Sequence, residues 1–104
     1  MRDMSRMLRQ VQKMQEEFAR VQQQLDGERV EATAGGGAIR VVADGHGRLV
    51  EVRIAREAVD PDDVETLEDL VRVAVNEAHA RARELAEARL RGLTGGLGLP
   101  GLFP

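Results

Sequence analysis

A chain of 104 residues without cysteine, tryptophan or tyrosine has room for one domain and excludes a disulfide scaffold, a thiolate metal site and a cysteine nucleophile. Its net charge of −3 at pH 7 is unusual for a nucleic-acid-binding protein, but its ends are basic and its middle is acidic. The chain opens with an amphipathic segment, and no stretch approaches the roughly 18 apolar residues of a membrane span. We therefore expect a cytoplasmic protein with no membrane partner.

An apolar heptad row dominates the first predicted helix, over about residues 3–26. The gaps between its members alternate between three and four residues, so they form one narrow stripe. A helix of about 22 residues, the length of this row, spans about 33 Å, more than a compact core of this size is wide. The row therefore predicts packing against a second copy of the chain, which would add the burial that small apolar side chains lack. The row contains Met4, Met7, Val11, Met14, Phe18, Val21 and Leu25, and Met7, Val11, Met14, Phe18 and Val21 are the predicted dimer interface.

A line of basic residues follows another side of the same helix. Arg6, Lys13 and Arg20 share one heptad position, with about 10.5 Å between steps, and Arg9 occupies the adjacent outward position. Such a stripe is common on the solvated face of a coiled coil, and it also suits the phosphates of duplex DNA. We expect no exposed aromatic residues for base stacking, and the sequence shows no helix-turn-helix or zinc-finger spacing. If the stripe binds DNA, we expect weak sequence preference and strong salt dependence.

Three short segments of strand character follow, over residues 29–34, 38–43 and 49–54. Apolar and polar residues alternate in the first and third, and the second is rich in β-branched residues. Gly35-Gly36-Gly37 and Asp44-Gly45-His46-Gly47 separate the segments as short turns. The pattern predicts a three-stranded antiparallel meander with one apolar face and one wet face.

A second long helix is predicted over about residues 61–91, which closes a single domain of residues 1–91. Asp60 is a good N-cap, Pro61 suits the first helical position, and apolar residues then recur at helical spacing. The second half is rich in alanine, which favours helix and lets a neighbouring helix approach closely. Residues 92–104 are rich in glycine and proline, and we predict that they are not helical. Their leucines favour an extended arm that docks on a groove, for example in a partner subunit.

Residues that could carry chemistry are scattered. We expect His46 to be a solvated turn residue and His79 to lie on the surface or half-buried on the second helix. Helix capping explains the acidic residues around Asp60, which lack the pattern of a calcium loop, and the glycine triplet lacks the lysine of a phosphate loop. We therefore expect no enzyme activity, no metal, no cofactor and no small-molecule substrate.

The succession of segments resembles the YbaB/EbfC family of bacterial nucleoid-associated proteins. The matching segments follow one another over nearly the full length. They are residues 7–15, 35–41, 59–65, 67–71, 74–78 and 93–102. The resemblance implies an α+β subunit of order α-β-β-β-α that forms a tweezer-like homodimer with projecting helices. It also implies double-stranded DNA as the partner, a nucleoid location and an influence on chromosome organisation and gene expression.

The family's DNA binding is associated with its helices, so helical cations are the candidate DNA-binding residues. The alternative is a protein-interaction adaptor whose projecting helices and apolar tail grip another protein. A mobility-shift series separates the two, because DNA binding through phosphates weakens steeply with salt. The candidates are Arg6, Arg9, Lys13 and Arg20 on the first helix, and Arg81, Arg89 and Arg91 on the second.

Overall fold

A computed structural model describes the backbone of residues 2–96 and the side chains of residues 3–93. Two long helices flank a three-stranded antiparallel sheet of order β1-β2-β3, which confirms the predicted α+β class and element order. The elements are α1 (Arg2–Gly27), β1 (Arg29–Ala34), β2 (Ile39–Asp44), β3 (Leu49–Ile54), a 3-10 turn (Arg56–Ala58) and α2 (Val64–Gly96).

The molecule is long and thin, with extents of 74 × 24 × 16 Å. Its radius of gyration is 19.8 Å, whereas a compact chain of this length has a radius of about 13 Å. The helices account for the elongation, because α1 is about 39 Å long and α2 about 50 Å at 1.5 Å per residue.

A core of small residues lies between α2 and the sheet. Helix α2 packs across β1 and β2. Ala74 and Ala78 of α2 are fully buried, and they belong to the same cluster as Ala32 of β1. Alanine has no side chain beyond Cβ, so helix and sheet can approach closely, and the larger Ile39 and Val41 fill the centre. The buried cluster consists of Ala32, Ala34, Ile39, Val41, Ala43, Ala74 and Ala78.

Strand β3 lies at the edge of the sheet, and none of its residues belongs to this buried cluster. Val52 pairs with Val41, and Ile54 pairs with Ile39, so all four side chains lie on the helix side of the sheet. Val52 and Ile54 nevertheless remain 47% and 42% exposed. Within the part of the chain that the structure describes, the apolar side of β3 is therefore left largely uncovered.

The other face of the sheet is polar and carries a run of ion pairs that the sequence did not indicate. Arg40 Nε lies 2.6 Å from Glu31 Oε1, Arg40 Nη1 lies 2.9 Å from Glu51 Oε2, and Arg53 Nε lies 2.6 Å from Glu51 Oε1. The hydrogen bond from Arg40 lowers the pKa of Glu31, and those from Arg53 and then Arg40 lower the pKa of Glu51. Exposed ion pairs of this kind add little to the stability of the fold. This face is the solvent-exposed side of the sheet.

Helix α2 begins at Val64, later than predicted, because a different aspartate caps it. Asp63 Oδ1 accepts a hydrogen bond from the Thr66 N–H at 3.4 Å, and Asp63 Oδ2 accepts one from the Thr66 hydroxyl at 2.7 Å. The carboxylate of Asp60 instead accepts from the Asp62 N–H at 2.9 Å and shapes the turn before the helix. The predictions of Asp60 as N-cap and of a start at residue 61 were therefore wrong.

Helix α2 also continues to Gly96, so the prediction of non-helical structure from residue 92 was wrong for residues 92–96. Extending an existing helix needs no new nucleus. Each glycine makes the helix less stable than alanine would by only about 1 kcal/mol. A Cβ placed at Gly92 would meet no atom within 4 Å. The proposed docking arm is reduced to residues 97–104, which lie outside the described residues.

A buried carboxylate organises the turn between β2 and β3. Asp44 is 6% exposed, and its Oδ1 accepts hydrogen bonds from the N–H groups of His46 at 2.9 Å and Arg48 at 3.0 Å. Burial raises the pKa of Asp44, but the backbone donors of Arg48 and His46, with nearby positive charge, lower it by more. Its pKa in the folded protein therefore lies below its ordinary value, and Asp44 is expected to be ionised at neutral pH.

Replacing Asp44 with alanine should lower the free energy of unfolding at pH 7 by about 1–3 kcal/mol, because two turn N–H groups lose their acceptor. The lowered folded pKa means that the carboxylate stabilises the fold fully above its unfolded pKa of about 3.9. That contribution is lost as the pH falls through the folded pKa. Urea denaturation of wild type and Asp44→Ala should show a difference at pH 7 that narrows at pH 3. The exposed Asp62→Ala is the control, and an equal difference at both pH values would contradict this role.

Candidate nucleic-acid interface

Helix α1 is joined to the body through its C-terminal turns. Val21 and Leu25 are 8% and 2% exposed, whereas Met4, Met7 and Val11 are 70%, 64% and 51% exposed. The buried end packs against α2 and β2. The N-terminal half of α1 therefore projects from the body as an arm, and we use that word below for residues 2–14.

A close backbone contact fixes the base of the arm. The Gly45 N–H donates to the Leu25 carbonyl at 2.8 Å. A Cβ placed at Gly45 would lie 2.6 Å from that carbonyl oxygen and 2.7 Å from Leu25 Cδ2, which no real side chain tolerates. Glycine is therefore required at position 45 by the approach of α1 and not by its backbone angles.

Two side chains hold the C-terminus of α1 through three further contacts. His46 Nε2 lies 2.8 Å from Asp26 Oδ1 and 3.0 Å from the Gln22 carbonyl oxygen. Arg29 Nη1 donates to the Asp26 carbonyl at 2.9 Å. The Arg29 guanidinium satisfies a free carbonyl at this end of the helix and matches its dipole. His46 is exposed, as expected for a turn residue, but it also bonds to α1, which the sequence did not indicate.

The predicted basic line on α1 divides into two parts. Arg6, Arg9 and Lys13 are exposed on the arm, and no ion pair involves them among the residues that the structure describes. Arg20 lies nearer the body and forms an ion pair with Glu17 one turn earlier. The unpaired positive charge of α1 is therefore concentrated toward its projecting end.

Two of the three candidate cations on α2 form ion pairs within the body. Arg81 Nε lies 3.1 Å from Glu77 Oε1, and Arg81 Nη1 also donates to the Glu31 carbonyl. Arg89 Nη2 lies 2.6 Å from Glu28 Oε1. Arg91 is exposed and has no ion pair within the described chain. Arg81 and Arg89 thus clamp α2 to the strand and turn beside it, a role that their spacing in the sequence did not reveal.

The residues of the predicted dimer interface differ in exposure between the arm and the body. Met7 and Val11 are exposed, Phe18 is 47% exposed, and Met14 is half-buried. Val21 lies in the core of its own subunit and is not available to a partner. The arm therefore presents an apolar stripe that the other described residues leave largely uncovered.

The described residues show no cluster that could hold a metal ion. No group of three or more histidine, cysteine, aspartate or glutamate side chains converges in a way that could hold a metal ion. His79 is exposed, and its Nδ1 faces Gly47 in the β2–β3 turn. Over residues 2–96, neither long helix has the length of apolar sequence required to cross a membrane.

The chain matches a known protein family over nearly its whole length. The YbaB/EbfC DNA-binding family matches residues 1–97. The chain belongs to this family. The resemblance seen in the sequence segments is thereby confirmed, and the family is one of DNA-binding proteins and not of enzymes.

Relatives within the family match over nearly the whole chain. A nucleoid-associated protein of Pelotomaculum thermopropionicum is 48% identical over 101 residues, which cover 97% of this chain and 96% of the relative. One from Acetivibrio thermocellus is 50% identical over 102 residues, covering 97% and 90%. The crystal structure of an uncharacterized protein, HP0035 from Helicobacter pylori, has a TM-score of 0.72 at 20% identity, over 80% of this chain and 87% of that one. This structure supports the fold alone.

Replacing Gly45 with alanine should destabilise the protein, because the new Cβ would push the Leu25 carbonyl and the end of α1 away from the turn. The expected loss is about 1–3 kcal/mol, the usual effect of overpacking. Gly92→Ala is the matched control, since its Cβ would meet no atom within 4 Å. It should be neutral or stabilise α2 by up to about 1 kcal/mol. Chemical denaturation measures both variants, and a Gly45→Ala protein as stable as wild type would contradict the close contact.

Proposed function

We propose that this protein is a nucleoid-associated protein that binds duplex DNA through the arms of a homodimer. The observation that carries the proposal is the group of unpaired cations on the arm, Arg6, Arg9 and Lys13, in a chain of the DNA-binding family. A net charge of −3 does not oppose it, because nearly all of the acidic residues lie outside the arm, and Asp3 is the one acid among residues 2–14. What DNA meets first is the local charge of the projecting arm.

The chemistry of these side chains favours contact with phosphates. Arg6 and Lys13 lie one heptad apart, about 10.5 Å along the helix, with Arg9 between them. The arm contains no aromatic residue, and the one aromatic side chain near its base is Phe18. Base stacking therefore has little support. Binding should therefore have weak sequence preference and should release counterions, with an affinity that falls as salt rises.

Two relatives described above bear the name nucleoid-associated protein. We extend that location to this chain and propose a role in chromosome organisation, with effects on gene expression. Phosphate contacts of low sequence preference suit such a role, because they permit binding at many positions along a chromosome.

The homodimer in this proposal uses the apolar stripe of α1. Met7, Val11, Met14 and Phe18 would pack against the same stripe of a second copy, and each large side chain buried there stabilises the pair by about 1.5–3 kcal/mol. The cations Arg6 and Lys13 lie on another side of α1 and remain free. A dimer would therefore present two basic arms to one duplex.

Replacing Arg6 and Lys13 together with glutamine should weaken DNA binding by at least about tenfold at low salt. If each of two arms neutralises three phosphates, the slope of log K against log salt is roughly −5. The two substitutions remove four of these contacts in the dimer, so the slope should become shallower by about 3.6. Mobility shifts or fluorescence anisotropy of a duplex across a salt series measure this.

The matched control removes the same charge from the body, as Arg53→Gln with Arg56→Gln, and should leave the slope nearly unchanged. Reversing Arg6, Lys13 and Arg20 to glutamate should abolish binding while the dimer stays intact. Equal affinity of the arm variant and wild type would make the arm assignment wrong. A wild-type protein that shifts no DNA even at low salt would favour the protein-interaction adaptor.

Replacing Val11 and Phe18 with glutamate should raise the dissociation constant of the homodimer by at least about 100-fold, because each would bury an unpaired charge in the stripe. Analytical ultracentrifugation across a concentration series measures the mass in solution. Gln12→Glu, on the solvated side of α1, is the control and should leave the mass unchanged. A clean monomer for the wild type at micromolar concentration would make the homodimer proposal wrong.

A further inference from the structure

Both histidines of this chain line one cleft, although they are far apart in the sequence. The cleft has a volume of about 350 Å³ and lies where the C-terminal turns of α1 meet the β2–β3 turn and α2. We call it the α1–α2 cleft. His46 reaches it from the turn, and His79 and Arg83 reach it from α2. Three side chains that can donate hydrogen bonds to an anion therefore share one cavity.

The donors of the α1–α2 cleft are largely free. Among the residues that the structure describes, neither His79 nor Arg83 has a hydrogen bond or an ion pair. His46 uses Nε2, which lies 2.8 Å from Asp26 Oδ1 and 3.0 Å from the Gln22 carbonyl oxygen. Its Nδ1 has no partner within the described chain. A guanidinium outside an ion pair can grip a carboxylate or a phosphate with two N–H groups.

No acidic residue is found among the described residues that line the α1–α2 cleft. Acidic residues outnumber basic ones in this chain, 18 to 15, so a cavity with only basic charges is selective. Three other cavities of the described chain each include a glutamate, among them Glu51, Glu28 and Glu68. Asp26 contacts His46 but does not line the cleft. The charge of the cleft therefore favours an anion.

Much of the remaining lining is apolar. It consists of Leu25 of α1 and of Ala82, Ala86 and Leu90 of α2. Leu25 and Ala82 are buried, and Ala86 and Leu90 are half-buried. Small-molecule sites are typically apolar cavities with a few polar groups, and 350 Å³ lies at the lower end of their volumes. The cleft therefore suits a small molecule that has one anionic group and a compact apolar body.

We propose that the α1–α2 cleft binds a small phosphate monoester with a compact apolar or aromatic body. A phosphate monoester has three terminal oxygens, one for each of Arg83, His79 and His46, whereas a carboxylate has two. The guanidinium supplies the fixed positive charge, and each imidazole donates through a protonated ring nitrogen. The apolar body covers the leucine and alanine side chains of the lining.

An occupant of the α1–α2 cleft would bridge two parts of the molecule. His46 belongs to the turn and contacts α1, whereas His79 and Arg83 belong to α2. A phosphate held by all three would connect the base of the arm to α2, without using the cations of the arm. Such binding is separate from the DNA binding proposed above and does not depend on it.

Titration with phenyl phosphate at constant pH, followed by proton NMR of the histidine rings, tests the proposal. The chain has two histidines and both line the cleft, so both ring signals should shift and saturate. The expected dissociation constant is about 1 mM or tighter. Inorganic phosphate should bind at least about fivefold more weakly, because it leaves the apolar lining uncovered. Phenyl phosphate that causes no saturable shift of either signal overturns the proposal.

Substitutions separate the charge of the cleft from its apolar lining. Arg83→Gln should weaken phenyl phosphate binding by at least about tenfold, because a charge-assisted contact is lost. Arg56→Gln is the matched control, since Arg56 lies in the 3-10 turn and outside the cleft, and it should bind like wild type. Ala86→Leu should weaken phenyl phosphate more than inorganic phosphate. Circular dichroism confirms that the variants fold, and equal affinity of Arg83→Gln and wild type contradicts the site.

The phosphates of DNA carry related chemistry, and a short duplex distinguishes the two sources. We expect phenyl phosphate to shift the histidine signals equally in wild type and in the arm variant, Arg6→Gln with Lys13→Gln. If the duplex shifts these signals and phenyl phosphate does not, the cleft belongs to the DNA interface and the proposal is wrong. A protein that binds no DNA would leave the phenyl phosphate result unchanged, so the two proposals fail separately.

Discussion

The hydrogen bond from the Gly45 N–H to the Leu25 carbonyl is the contact on which the rest of the architecture depends. It brings the end of α1 so close to the β2–β3 turn that a Cβ at position 45 cannot fit. Asp44 holds the same turn in shape by accepting from His46 and Arg48. The arm therefore leaves the body from a rigid base, and its exposed cations and apolar stripe have a defined position relative to the sheet.

Electrostatics divides the cations of this protein into two groups. Several of those near the body are bound by acids or carbonyls, as Arg40 is by Glu31 and Arg89 is by Glu28. Those on the arm have no such partner among the described residues. Ion pairs on an exposed surface contribute little to stability. An ion pair leaves the net charge unchanged, and the positive field at one end comes from the arm, where Arg6, Arg9 and Lys13 face a single acid, Asp3.

The sequence was sufficient for the class, the element order and the end of α1, because heptad spacing, strand alternation and glycine turns are local signals. The start of α2 was missed because Asp60 and Asp63 are both good caps, and only the pairing of Asp63 with Thr66 decides between them. The engagement of Arg81 was missed because its carbonyl partner, Glu31, lies fifty residues away. The open side of β3 was missed for the same reason, since alternation does not show which strand a helix covers.

The length of the arm makes the position of its tip sensitive to the angle at which α1 leaves the body. From Leu25 to the start of α1 the helix runs about 35 Å, so a tilt of about 10° at the base moves the tip by about 6 Å. Successive phosphates along one strand of duplex DNA advance by about 3.4 Å. Small packing changes around Gly45 would thus be amplified into a change of phosphate register. In the proposed homodimer, the span between the two arms would be set at this base, far from the DNA contacts that we propose for the arms.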